Sequence, residues 1–413
     1  MKASAQAAIE AVDGDLVVHL SRETLRMPSL SGEEQEVARF FADAMNDAGI
    51  EAATQEVPPS EMMGASLNAI GHYRGSGGGP TVLFNGHLDH NPVCDGWTKD
   101  PFGGVIEDGW LYGFVHMKAA DATYIAAVDA VKRAGIDLRG SVAIAHVCGE
   151  LRGGAGTKHA LSEGLTADCF ILGEPTELSF GFNHAASIVV RLHVRGRMKH
   201  FATVETEGQA AVNAVEAMAA VIAGLGPSHT PMRPKDDGGW LGFEPCEGFE
   251  GLPQINIGPV RGGISGSYDA SRPALFPDLC TLTIDFRIIP GMTKESVEKD
   301  LAQHVHAILG DDVAFDIEFA ADTFPIPFDS DRDSLVSKVI GEAHKAVRGE
   351  KAVESEVLKF AASDAAWMSA AGIPGIIYGP TGKYLSRPDE RCEVKDLIDT
   401  TRIYAAAIVA LCE

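Results

Sequence analysis

Gly86-His87-Leu88-Asp89 closes the run Thr81-Val82-Leu83-Phe84-Asn85 and sets an imidazole and a carboxylate two residues apart. The run follows a Gly/Pro-rich break and reads as a buried strand, and chemistry in α/β sheets collects at the carboxyl ends of such strands. An extended backbone sends both side chains to the same side. A histidine so placed can bind a metal through one ring nitrogen while a nearby carboxylate fixes the other nitrogen or the ring's orientation. A core histidine at a strand end is the other reading of an isolated H-x-D, so the rest of the chain has to decide.

Two further apolar runs end in the same manner. Ser141 to Val147 leads to Cys148-Gly149-Glu150, and Cys169 to Leu172 leads to Gly173-Glu174-Pro175-Thr176. Between them, residues 117–134 place Tyr124, Ile125, Val128 and Val131 at helical spacing, which predicts a helix packed on the sheet. This is a βαβ organisation with one shared edge for catalysis. Upstream, residues 7–28 read as one helix, and Ser31 with Glu34 reads as a capping box opening a second helix through Ala48. The segment Pro92 to Phe114, rich in Gly, Pro, Asp and Trp, reads as loop.

The texture changes near His184. Alternating residues from Ser187 to Val194, an Ala-rich helical stretch from Gly208 to Leu225, and strands at Gln254 to Val260 and Leu279 to Ile288 follow. A helix from Thr293 to Leu309 and a strand from Val313 to Phe319 complete a β-α-β-β-α-β order, the pattern of a ferredoxin-like sandwich. The α/β pattern then resumes with helices at 333–347 and 363–371, an apolar run from Ile373 to Tyr378 and a closing helix at 394–411. The expected division is a catalytic domain at 1–183 and 321–413, interrupted by an inserted α+β domain at 184–320.

The 413 residues suffice for two cores, and a hydrophobic fraction of 45% is ordinary globular usage. The balance of 34 Lys plus Arg against 58 Asp plus Glu gives a net charge of −24, which opposes nucleic-acid backbones and anionic membranes. Seven dispersed cysteines without a C-x-x-C pair suggest reduced thiols, and no apolar stretch has the length of a signal peptide core or a membrane span. A soluble cytoplasmic enzyme acting on a small molecule is the expectation.

Taken in order, these motifs resemble the zinc metallopeptidase family that includes acetylornithine deacetylase, succinyl-diaminopimelate desuccinylase and aminoacylase. The resemblance rests on Gly86-His87-Leu88-Asp89, Asp100-Pro101-Phe102, Asp108-Gly109-Trp110-Leu111-Tyr112-Gly113, Met117-Lys118, Gly149-Glu150 and Gly173-Glu174-Pro175-Thr176. It continues through Gly196, His200, Asp285-Phe286-Arg287, Ser363-Asp364 and Tyr378-Gly379-Pro380. It implies a central mixed sheet with flanking helices and an inserted ferredoxin-like dimerisation or lid domain, hence a homodimer or higher homo-oligomer.

Family members usually hold two metals, and this sequence departs where the second is held. His116 replaces the bridging aspartate before Met117-Lys118, the paired glutamates become Glu150-Leu151, and the late histidine is Ser386. Neither Leu nor an ordinary Ser hydroxyl binds a divalent ion usefully, so one ion is expected, Zn²⁺ or Mn²⁺. The resemblance implies His87, His116 and Glu174 as its ligands, with His90 or His146 as the rivals to His116. It implies Glu150 as general base and Asp89 as the group that orients His87. His200 would stabilise oxyanion charge at a partner subunit's site, unless it is a surface histidine; Arg287 and Asn213 would contact a substrate carboxylate, unless Arg287 is a strand-end ion pair.

Phe114 stands where relatives usually carry Arg, which makes the wall near the metal apolar and aromatic. An outlying branch of the family hydrolyses the aromatic amine 5-nitroanthranilate, releasing ammonia with a single metal. The leading expectation is therefore an aminohydrolase of that kind. A dipeptidase or N-acyl amino acid deacylase is the first alternative, and a non-catalytic homologue the second.

Overall fold

The computed structural model describes residues 2–203, 210–265, 274–321, 323–355 and 359–413. They form two compact units, one of Met1–His184, Phe328–Lys359 and Ser363–Glu413, the other of Ala185–Pro327 with Phe360–Ala362.

The first unit opens with helices α1 (Ala3–Glu10), α2 (Gly14–Leu25) and α3 (Gln35–Asp47). The single helix expected over 7–28 is therefore two. Asp13 Oδ1 accepts from the amides of Asp15 and Leu16 at 3.0 and 3.2 Å, which caps a new helix and breaks the old one. The expected capping box is also absent. Ser31 Oγ instead donates to Asp89 Oδ2 at 2.6 Å, and the Glu34 side chain makes no bond to the helix it precedes.

Strands β1 (Glu51–Val57), β2 (Ser66–Tyr73) and β3 (Thr81–His87) follow. Next come the short β4 (Val105–Glu107) and β5 (Trp110–Tyr112), then α4 (Lys118–Arg133) and β6 (Ser141–Val147). The segment expected to be loop thus contains a hairpin. Asp108 and Gly109 both take positive φ, 50° and 81°, the backbone of a two-residue turn whose twist matches paired strands. Helix α5 (Ala155–Ser162), β7 (Cys169–Leu172) and β8 (Asn183–His184) close this first part.

The second unit contains β9 (Ala186–Arg195), α6 (Ala214–Leu225), β10 (Gln254–Gly263), β11 (Leu279–Ile288), α7 (Lys294–Leu309) and β12 (Phe315–Phe319). Its antiparallel sheet has the order β10-β11-β9-β12, the ferredoxin-like arrangement. One face is closed by α6 and α7 over Val190, Leu192, Leu282, Ile284, Met218 and Leu301. Helix α6 starts at Ala214, later than expected; residues 208 and 209 of the expected helix lie outside the described residues.

The chain returns to the first unit with β13 (Phe328–Asp329), α8 (Leu335–Arg348), α9 (Ala365–Ala370), β14 (Gly375–Ile377), β15 (Arg391–Glu393) and α10 (Val394–Cys412). The six-stranded sheet runs β1-β2-β6-β3-β7-β14. The four strands β6, β3, β7 and β14 are parallel, and β1 and β2 add an antiparallel edge. Helices α4 and α10 pack together over this sheet, and α4 is almost wholly buried, its Lys118 and Asp121 included. Among the described residues no helix is long and apolar enough to cross a membrane.

Candidate metal centre

Strands β3, β6 and β7 are in register, with His87 beside Val147 and Asn85 beside Leu172. Their carboxyl ends therefore share one edge of the sheet. His87 is the last residue of β3, Glu150 follows β6 and Glu174 follows β7. Gly86 permits the packing beneath: a Cβ there would lie 1.8 Å from Asp121 Oδ1 on α4.

His116 comes from the segment joining β5 to α4. It is held by Glu390, whose Oε1 accepts from the His116 amide at 2.8 Å and whose Oε2 accepts from the Ser386 amide at 2.8 Å. So placed, His116 Nε2 stands 3.3 Å from His87 Nε2 and 2.7 Å from Glu174 Oε2, and His87 Nε2 stands 3.8 Å from Glu174 Oε1. Among the described residues these three form the one such cluster, with ligand atoms all within 4.8 Å of one another.

The donor chemistry fits a divalent ion. His87 Nδ1 donates to the Asp89 carbonyl oxygen at 2.9 Å and faces Asp89 Oδ1 at 3.3 Å, which leaves the lone pair on Nε2, the atom turned toward His116 and Glu174. Two nitrogens and a carboxylate oxygen converging in this way make a three-ligand set, the number of protein ligands that a catalytic centre uses.

The surrounding charge agrees. Burial works against a charge on His87, but the Asp89 hydrogen bond and the Glu150 and Glu174 carboxylates hold its pKa well above the ordinary histidine value. Burial likewise opposes the Glu174 carboxylate, and His116 and His87 overcome it and bring that pKa below the usual range. Glu150 is pushed well above the carboxylate range, by burial first and then by Glu174, Asp364 and Asp89 acting against His87. Burial also lifts Asp364, at the start of α9, to about 7. The site is an anionic pocket that favours a cation and keeps one carboxyl poised to carry a proton.

Asp89 acts on both neighbouring strand ends. Besides meeting His87, its Oδ1 accepts from the Glu150 amide at 3.1 Å and its Oδ2 from the Leu151 amide at 3.1 Å. The rival histidines are engaged elsewhere. His90 Nε2 accepts from the Ser29 amide at 2.9 Å and its Nδ1 donates to the Asn91 carbonyl at 2.7 Å. His146 is buried with Phe41 at 4.1 Å and Tyr124 at 5.8 Å between ring centroids, and burial drives its pKa down to about 3.

Phe114 joins an aromatic cluster, stacked on His90 at 4.3 Å and 18° and standing 5.1 Å from Trp97 and 5.6 Å from Phe102. With His87, His116, Leu151 and Ser386 it lines a narrow crevice. Ser386 Oγ there accepts from Asn91 Nδ2 at 2.8 Å.

His200, Arg287 and Asn213 belong to the second unit. His200 Nδ1 accepts from the Ala202 amide at 3.2 Å. Arg287 is paired with Asp285 through Nη2 at 2.7 Å and Nε at 3.1 Å, and Asn213 Oδ1 caps α6 through the amides of Val215 and Glu216. The positions that sequence reasoning missed are Glu390, which sets His116, and Glu34, which meets the Gly149 amide. Glu390 lies in the run Pro388-Asp389-Glu390, but its partners are the backbone amides of His116 and Ser386, which leave no mark in a sequence.

Residues 83–410 match the model of peptidase family M20/M25/M40. Among curated proteins, the chain is 24% identical over 407 residues to N-formyl-4-amino-5-aminomethyl-2-methylpyrimidine deformylase of Bacillus subtilis, covering 91% of this chain and 89% of that protein. It is 28% identical over 411 residues to succinyl-diaminopimelate desuccinylase of Methylorubrum populi, covering 94% and 96%. Among solved structures, the di-peptidase Dug1p of Saccharomyces cerevisiae superposes with a TM-score of 0.77 at 14% identity, over 99% of this chain and 98% of that one.

Proposed function

The chain belongs to peptidase family M20/M25/M40 and is a metal-dependent hydrolase of C–N bonds, and from that premise we propose that it cleaves a small N-acyl compound with one divalent ion. His87, His116 and Glu174 hold the ion, and Glu150 is the general base. The convergence of those three ligand atoms within 4.8 Å is the observation that carries the reading.

A divalent ion there supplies, when bound, a Lewis acid that lowers the pKa of water from about 15.7 toward about 7. Glu150 takes the proton from the attacking water and returns it to the leaving nitrogen as the C–N bond breaks, so the amide and one water become a carboxylic acid and an amine, which leave as carboxylate and ammonium. Burial and the neighbouring Glu174, Asp364 and Asp89 raise the pKa of Glu150, which favours holding the proton between the two halves of that transfer. Asp89 keeps the His87 ring in the tautomer that offers Nε2. Beyond His116 the crevice is lined by the hydrocarbon of Leu151 and the hydroxyl of Ser386, neither a useful ligand for a second divalent ion. Zn²⁺ and Mn²⁺ both suit the nitrogen and oxygen donors.

Two relatives are named for removing an acyl group from nitrogen, a deformylase and a desuccinylase, which supports the amide as the scissile bond. The second reading is hydrolysis of an aromatic amine bearing a carboxylate, with ammonia released. Phe114 stacked on His90 beside Trp97 and Phe102 favours it, since an aromatic wall suits a flat ring. A panel decides between them. N-formyl, N-acetyl and N-succinyl amino acids and dipeptides are assayed for released amine, and 5-nitroanthranilate for ammonia, each with Zn²⁺ or Mn²⁺ added back to chelated enzyme. Amine release from an acylated compound supports the first reading; ammonia release alone moves the assignment to the second.

A further inference from the structure

Glu34 stands at the mouth of α3, in the position from which a side chain ordinarily caps its own helix. It makes no such bond. Its carboxylate is fully buried and turned the other way, toward the end of β6. Oε1 accepts from the Gly149 amide at 2.9 Å, and Oε2 accepts from Ser66 Oγ at 2.5 Å and the Gly32 amide at 2.8 Å.

The Gly149 bond gains its meaning from the two amides that follow. The amides of Glu150 and Leu151 are taken by Asp89 Oδ1 and Oδ2, both at 3.1 Å. Three consecutive backbone N–H groups at 149–151 are therefore gripped by two carboxylates, one from the start of α3 and one from the end of β3. Gly149 has φ +66°, and successive amides around such a left-handed residue form a concave cradle for anions. Here the anions are the protein's own side chains. Gly149 has no room for a Cβ, which would lie 2.4 Å from Met63 Sδ, so the turn closes against its surroundings as well.

We propose that Glu34 is a positioning residue which, together with Asp89, clamps the backbone of Gly149, Glu150 and Leu151 and so aims the Glu150 carboxylate. The proposal rests on the reading of Glu150 as general base. Burying a carboxylate is costly, and hydrogen-bond donors to its oxygens offset that cost; Glu34 has three. A tie between α3 and β2 needs only Ser66 and Gly32. The Gly149 bond adds a reach of 115 residues along the chain, to the turn that carries the base. Proton transfer falls steeply when the base moves off line, so a loosened turn lowers turnover without changing how substrate or metal is held.

The test uses full-length, metal-loaded Glu34→Gln, with Glu34→Asp beside it, which keeps the charge and loses the reach. Amide hydrogen exchange is read at 149–151 and across α3. Kinetics are read on whichever N-formyl, N-acetyl or N-succinyl amino acid the wild type hydrolyses fastest. The proposal expects Gly149 exchange to rise about tenfold or more, with α3 unaltered, and kcat to fall by about tenfold or more with KM within about threefold and metal content unchanged. Glu34→Asp should move in the same direction, since charge without reach does not restore the bond. If Glu150→Gln is inactive while Glu34→Gln keeps its kcat and its exchange at 149–151, the clamp is overturned and the base stands. An active Glu150→Gln overturns the base itself, and the catalytic part of the clamp with it.

Discussion

Nε2 of His87 and Nε2 of His116 face each other across 3.3 Å, and Nδ1 of His87 donates to the Asp89 carbonyl oxygen at 2.9 Å, so Nε2 is the ring atom turned toward an ion. The two imidazole rings stand edge to face, 4.8 Å apart at 78°, and Glu174 completes a group of two nitrogens and a carboxylate oxygen that suits a divalent cation. That relationship supports His116 as a ligand, an imidazole at the position where a pair of ions would call for a bridging carboxylate.

His116→Ala is expected to lose the ion, raising the dissociation constant by about tenfold to a hundredfold or more, since one of three protein ligands is gone. Calorimetric titration with Zn²⁺ or Mn²⁺ measures it. Wild-type affinity in the variant would remove His116 from the ligand set.

Glu150→Gln keeps the shape of the side chain and cannot take a proton. Turnover should fall by about a hundredfold to ten-thousandfold while metal content stays at the wild-type level. The pairing of these two measurements separates a lost base from a lost ion.

Phe114→Leu removes the ring that stacks on His90 while keeping an apolar surface. For a substrate with a flat ring kcat/KM should drop by about threefold to tenfold, and for a compact aliphatic N-acyl amino acid it should hold within about twofold. Equal losses on both would show that Phe114 shapes the crevice without selecting rings.

Stability should depend on pH through buried groups that do not hold the ion. His146 is neutral in the fold with a pKa near 3, against about 6.5 in the unfolded chain, so its contribution is complete above pH 6.5 and is lost as pH falls toward 3. The slope is about 1.4 kcal/mol per pH unit within that window. Glu34 runs the opposite way: burial, aided by Asp89, raises its pKa from 4.5 to about 7, so its contribution is complete below pH 4.5 and is lost as pH rises through 7. Denaturant unfolding at pH 6.5 and pH 5 should show His146→Phe losing less stability on acidification than the wild type. An identical loss in both would mean that His146 does not govern the acid limb.

Much of the fold is legible in the chain because its central strands are buried on both faces. Such strands write themselves as unbroken apolar runs, and β6 and β7 have the expected bounds to the residue. The edge is different. β1 is largely exposed and β2 interleaves Asn68, Gly71 and His72, so neither presents a run to recognise. The hairpin of β4 and β5 was signalled by Asp108-Gly109, but strands of three residues carry too little alternation to be read without that turn.

The site divides along the same line. His87, Glu150 and Glu174 are visible because each stands at, or just past, the end of a strand that is itself visible. Ser31 and Glu34 have the spacing of a capping box and spend their side chains on Asp89, Ser66 and Gly149 instead. Local spacing cannot reveal partners that lie 58 and 115 residues away. Burial at the strand ends offers these side chains stronger bonds than the helix could.

If a single ion serves each active site, a metal count on the active enzyme will show it. Chelated protein is titrated with Zn²⁺ or Mn²⁺ while bound metal is measured by emission spectrometry and activity is followed in the same samples. The account predicts that activity reaches its plateau at one equivalent per chain. A plateau reached only at two equivalents, with both ions retained, would contradict it.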